Sequence, residues 1–186
     1  LQEGIRYKEQ RVLVNYNCGS MGDDLPNAIG VAMGLNREVI CVTGDGSIMM
    51  NLQELQTIHY NNMPIKIVVF SNNGYGAIRN TCSNFFQGIY TGCDSDSGIS
   101  FPEFSNIAKA FNFPYHCCTC VKDVEESVEW LNVQKSFCFL EIKQRIDEIV
   151  GPKIVSIMDK EGKFKTPPLH IMYPFLEETE LNNLML

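Results

Sequence analysis

The sequence predicts a doubly wound α/β domain, a mainly parallel sheet with helices on both faces, followed by a C-terminal tail. Three observations carry that prediction: short, continuously apolar runs alternate with segments of helical periodicity, glycine-rich polar loops follow the apolar runs, and the alternation fades near Gln144. Apolar runs without polar alternation suit strands covered on both faces, the condition of a parallel sheet joined by right-handed crossovers.

Val12-Leu13-Val14 is β-rich and is expected to form the first strand. Leu25 through Leu35 repeats apolar residues at helical spacing behind Pro26, a residue favoured in a helix's first turn. Val39 to Val42 reads as a strand, about Ile48 to Asn61 as a helix with Leu52, Leu55 and Ile58 on one side, and Ile65 to Phe70 as a buried strand. A helical start follows from Tyr75 to about Asn80, then a loop over Thr81 to Ser100 rich in Ser, Gly, Asn and Asp. Pro102 opens a helix through Phe111; Tyr115 to Val121 is expected as strand, Asp123 to Leu131 as helix and Phe137 to Ile142 as strand. Residues 1–143 thus form one domain, and 144–186, interrupted by Gly151-Pro152 and Pro167-Pro168, an extended tail expected to pack over the site or a subunit interface.

Composition limits the function. The 186 residues carry a net charge of -7, and no basic run is present to track a phosphate backbone, so nucleic acid is not an expected partner. No apolar stretch approaches the roughly 20 residues needed to span a bilayer, so no membrane is expected either. The start does not read as a signal peptide, and because Leu1 is not Met the chain is expected to be a processed product or a piece of something longer. The eight cysteines fall mostly inside or beside apolar segments, which favours free thiols in a reducing, cytoplasmic compartment.

Ligands of open α/β sheets bind outside the carboxyl ends of the strands, where helix N-termini point free N–H groups. Three loops stand there: Asn17 to Pro26, Gly44-Asp45-Gly46-Ser47, and Ser71-Asn72-Asn73-Gly74-Tyr75-Gly76. In the second, two glycines let the backbone turn sharply toward an anion, Ser47 offers a hydroxyl, and Asp45 offers one hard carboxylate oxygen. Magnesium is held by one or two such protein groups together with phosphate oxygens and water. An Asn amide oxygen from the next strand end, Asn72 or Asn73, with a backbone carbonyl two residues later, would complete the protein's share.

Gly44-Asp45-Gly46, 25 intervening residues and then Asn72-Asn73, together with the block GSMGDDLPNAIGVAMG, resembles the thiamine diphosphate fingerprint of the acetolactate synthase and pyruvate decarboxylase family over roughly residues 11 to 145. The resemblance implies that Asp45 ligates Mg²⁺ and that Gly44, Gly46 and Ser47 line the diphosphate. The family's usual ligand separation selects Asn72, with the Gly74 carbonyl as third ligand; counting by the Asn pair instead selects Asn73 and the Tyr75 carbonyl. The apolar run Ile65 to Phe70 fixes the register in favour of Asn72. Tyr75, Gly76, Ala77 and Ile78 follow as cofactor-lining positions. By the same resemblance Gly19 presents its carbonyl to the aminopyrimidine, Ser20 flanks it, and Met21 wedges between the two rings, bending the cofactor so that its amine acts as an intramolecular base.

The activity so implied is decarboxylation of a 2-oxo acid and transfer of the remaining acyl unit to an acceptor, by a homodimer or homotetramer of a longer enzyme. The family's activating Glu belongs to an N-terminal domain and FAD, where used, to a middle one, so this chain by itself is expected to be inactive. A family Trp that shapes the acceptor pocket falls at Thr81 here, which leaves the acceptor open; the only Trp is Trp130. A natural split subunit of a two-chain decarboxylase and a non-enzymatic phosphate-binding module are the alternative readings.

Other motifs read as ordinary structure. Strand alternation sends Cys118 and Cys120 to one face and Cys117 to the other, which argues against zinc. Asp94-Ser95-Asp96-Ser97-Gly98 resembles a calcium loop only faintly, with Ser105 where the bidentate Glu should be, and is expected to be a solvated turn. His59 is expected at a surface or boundary, and the acidic run Asp123 to Glu129 on an exposed helix face.

Overall fold

The computed structural model describes residues 10–15, 18–148, 153–159 and 161–184. They fall into two units, residues 1–146 and 147–186. In the first, α1 (Asp24–Leu35) leads to β1 (Val39–Gly44), α2 (Asp45–Ile48), a 3-10 turn (Met49–Asn51), α3 (Glu54–Tyr60) and β2 (Ile65–Ser71). There follow α4 (Gly76–Phe85), α5 (Phe104–Ala110), β3 (Tyr115–Cys118), α6 (Val124–Val133) and β4 (Cys138–Lys143).

The sheet is parallel throughout, with order β1-β2-β4-β3. Central β2 is buried along nearly its whole length, which is why its sequence is an uninterrupted apolar run broken only by Lys66. Leu25 and Ala28 of α1, Leu55 and Ile58 of α3 and Phe104 and Ala108 of α5 close one face with Ile67, Val69 and Phe139. Leu131 of α6 covers Val68, Cys138 and Leu140 on the other. The step from β3 back to β4 runs against the direction of β1 to β2, and a right-handed crossover in the reverse direction deposits its helix on the opposite face. Lys66, buried within this core, is neutralised by Glu38 at 2.8 Å.

The structure corrects several expectations. Arg11–Asn15 forms no strand: Leu13 and Val14 are exposed and have no neighbouring strand to pair with among the described residues, and β propensity without lateral bonds makes no sheet. The helix expected over 48–61 is broken, because Asn51 turns its side-chain amide to the Gly22 carbonyl at 2.5 Å and the chain tightens there into a 3-10 turn. The helix expected to start at Tyr75 runs from Gly76 to Phe85, into the stretch read as loop; Thr81 and Ser83 hydroxyls bond carbonyls four residues back and so remain compatible with helix. The strand at Tyr115 ends at Cys118 rather than Val121.

The second unit is not merely extended. Ile157–Met158 (β5) pairs antiparallel with Phe164–Lys165 (β6), and α7 spans Glu178–Leu184. Lys165 binds Asp159 at 2.7 Å across the hairpin. No described helix is long and apolar enough to cross a membrane.

Candidate functional site

Parallel register sets Gly44 of β1 opposite Phe70 of β2, so the chain leaves both strands at one height and the next residues, Asp45 and then Asn72, meet at the carboxyl edge. The Asp45 carboxylate is buried; its Oδ2 accepts the Asn72 and Asn73 amides at 2.9 and 2.7 Å, and its Oδ1 the Gly46 amide at 2.8 Å. Burial raises its pKa above the ordinary carboxylate value, opposed by these amides and that of Gly74. A carboxylate offers about four lone-pair sites, and the amides of Gly46, Asn72 and Asn73 take three, so Asp45 Oδ1 retains acceptor capacity. In the adjoining residue, Asn72 Oδ1 is buried with no hydrogen-bond partner among the described residues, while Asn73 is exposed in the left-handed region at φ 57°. A buried carbonyl oxygen without a donor is costly, and a hard cation relieves it.

The glycines make the approach possible. A Cβ on Gly46 would sit 2.1 Å from the Tyr75 ring, and one on Gly74 2.4 Å from the Cys93 carbonyl. Tyr75 therefore lies against Gly46 and meets Phe101 edge-on with centroids 5.8 Å apart. Gly76 opens α4, where a Cβ would sit 3.1 Å from Asn72 Nδ2, and Ala77 and Ile78 stand exposed in the first turns.

The first loop reaches the same edge. The Gly22 amide donates to Ser47 Oγ at 3.0 Å, and Gly22 at φ 86° leaves no room for a side chain against Met50. Preceding it, Gly19 at φ 55°, Ser20 and Met21 are exposed, Met21 by 39%.

Sequence reasoning missed three residues around the site. Asp24 accepts hydroxyl protons from Ser47, at 2.6 Å, and from Thr43, tying α1 to both ends of the second loop; an acid in a helix's first turn reads simply as a dipole partner, which conceals it. Arg79 on α4 pairs with Asp94 and lies over the Tyr90 ring at 4.0 Å. Asp94 belongs to the turn read as solvated, yet it is buried: it bonds the Ser97 hydroxyl and amide, which with Arg79 hold its carboxyl below the usual range.

Cys120 Sγ bonds Asp123 and Cys118 Sγ the Cys120 carbonyl, and no group of three metal-ligating side chains occurs among the described residues. His59 is half-buried edge-on to Phe137, and Glu125, Glu126 and Glu129 are exposed on α6.

Residues 2–142 match the family model described as "Thiamine pyrophosphate enzyme, C-terminal TPP binding domain"; the chain belongs to this family. It is 34% identical over 151 residues to the acetolactate synthase large subunit of Buchnera aphidicola subsp. Schlechtendalia chinensis, covering 78% of this chain and 25% of that protein. It is 40% identical over 106 residues to acetolactate synthase isozyme 3 large subunit of Escherichia coli K12, covering 56% and 18%. Against the large subunit of Parasynechococcus marenigrum the identity is 35% over 94 residues, 50% and 15%. The chain thus spans a quarter or less of the length of these relatives.

Proposed function

We propose that the chain is the diphosphate- and Mg²⁺-binding part of an acetolactate synthase-like enzyme that decarboxylates a 2-oxo acid and passes the remaining acyl unit to an acceptor. The observation that carries this reading is the buried, unpartnered Asn72 Oδ1 beside the buried Asp45 carboxylate, an oxygen pair that suits one hard divalent cation. Asp45, Asn72 and the Gly74 carbonyl would hold Mg²⁺. Gly44, Gly46, Ser47 and the first turns of α4 from Tyr75 through Gly76, Ala77 and Ile78 would surround the diphosphate. Gly19, Ser20 and Met21 would meet the aminopyrimidine end.

Thiamine diphosphate, when bound, supplies a carbon nucleophile and an electron sink for loss of carbon dioxide. This chain's residues would contribute geometry: Asp45, Asn72 and Gly74 would hold the cation, the glycines leave space where a side chain would intrude, and Met21 would pack against the cofactor. The activating Glu and any FAD belong to the longer parent, a cytoplasmic homodimer or homotetramer, and the chain alone has no turnover.

Calorimetric titration of the chain with thiamine diphosphate and with ATP, each with and without Mg²⁺, tests the reading. Magnesium-dependent binding of thiamine diphosphate that is lost in Asp45→Ala is the expected result. Preference for ATP, or retention unchanged in Asp45→Ala, overturns it, and pyruvate decarboxylation by the purified chain would refute the stated lack of turnover.

A further inference from the structure

We infer that the ion pair between Arg79 and Asp94 is a positioning latch for the metal-holding loop, an inference that rests on the cation site proposed above. Gly74 and Asp94 face each other in an isolated antiparallel bridge, and the Tyr75 amide donates to the Cys93 carbonyl at 2.8 Å. In that pattern the flanking residues carry the ladder bonds, and the facing residues' own N–H and C=O point away from the partner segment. The Gly74 amide accordingly faces the side of the Asp45 carboxylate and favours its charged form, and the carbonyl of the same residue takes no ladder bond among the described residues. Where Gly74 points therefore depends on where the backbone of Cys93 and Asp94 stands.

That backbone is held from two directions. Ser97 closes a capping box with Asp94, giving the segment a fixed local turn, and Arg79 ties the segment to α4. Arg79 lies one helical turn after Tyr75, its amide bonding the Tyr75 carbonyl at 2.9 Å, so the guanidinium ties the first turn of α4, where the loop that carries Asn72 and Gly74 ends, to the Asp94 that faces Gly74. The pair is largely sheltered, its side chains 25% and 10% exposed, and the guanidinium's flat face is covered by Tyr90. A sheltered, oriented pair of this kind holds position far better than a solvated surface pair. Arg79 would touch neither cation nor cofactor and acts through Asp94.

Amide hydrogen exchange on the ligand-free chain, and Mn²⁺ binding followed by electron paramagnetic resonance in the presence of thiamine diphosphate, test the latch in Arg79→Gln and Arg79→Lys. In Arg79→Gln the Tyr75 amide should exchange about tenfold faster, while β2 amides keep their protection. Half-saturation should need about tenfold more Mn²⁺, and Arg79→Lys should recover most of both effects. Unchanged Tyr75 exchange, or a lysine variant as impaired as the glutamine one, overturns the latch. Failure of the wild-type chain to bind Mn²⁺ with thiamine diphosphate would instead defeat the proposed cation site; the ligand-free exchange measurement still decides whether Arg79 holds the loop.

Discussion

The Asp24 carboxylate accepts the Ser47 hydroxyl proton at 2.6 Å, and the same Ser47 oxygen accepts the Gly22 amide, so one hydroxyl joins the start of α1 to the loop after β1. Ser47 is therefore occupied on both sides before any ligand arrives. Its replacement by Ala leaves a partly buried amide and a carboxylate each short of a partner. Ser47→Ala should lower unfolding free energy by about 1–3 kcal/mol in urea titrations. An unchanged midpoint would show that water replaces the hydroxyl at no cost.

The two crowded glycines should differ in tolerance. At Gly74 the added methyl meets a backbone carbonyl and the Ile146 side chain, whereas at Gly46 it meets a tyrosine ring that can swing aside. Overpacking costs about 1–3 kcal/mol, and Gly74→Ala should lie at or above the top of that range with Gly46→Ala well below it. Gly46→Ala should nevertheless displace Tyr75, visible as altered tyrosine fluorescence. Equal destabilisation of both variants would contradict this ordering.

Asp45 predicts a pH dependence of cation retention. Its folded pKa is raised by burial above the ordinary value of 3.8, so protons compete with Mg²⁺ at higher pH than at an exposed carboxylate. Magnesium-dependent retention of thiamine diphosphate should weaken on acidification before an ordinary carboxylate would titrate. The stability linkage has the opposite slope: a raised acid favours the fold below the unfolded pKa, and the contribution is lost as pH rises through the folded one. Without cation, the stability of wild type relative to Asp45→Ala should therefore fall with rising pH across that window, and Mg²⁺ with cofactor should reverse the trend. Equilibrium binding and denaturation across pH 4–8 check both slopes.

The thiols should react in order of exposure. Cys18 and Cys120 are exposed, whereas Cys41 and Cys138 are buried, with pKa values pushed up by burial to about 12 and about 11. Since the thiolate is the nucleophile, alkylation at pH 8 should label the first two rapidly and the last two only on unfolding. Peptide mass spectrometry reads the order directly, and early labelling of Cys41 would place it outside the core.

Much of this architecture is legible in the sequence because local pattern and burial agree. Ile65 to Phe70 is apolar because β2 is central and covered on both faces, and the Gly44-Asp45-Gly46 and Asn72-Asn73-Gly74 turns mark the ends of adjacent parallel strands. Residues 12–14 mislead because strand propensity says nothing about the presence of a lateral partner, which is a property of the whole sheet.

The sequence by itself determined the element alternation and the residue types gathered at the strand ends, since both follow from periodicity and from the backbone freedom glycine provides. Only the tertiary structure decided which oxygen stands buried without a donor, that Asp24 spends itself on Ser47 and Thr43, and that Asp94 leaves solvent to face Arg79. Those are relations between segments distant along the chain, and they are fixed by strand register and crossover handedness, which no local window of residues records.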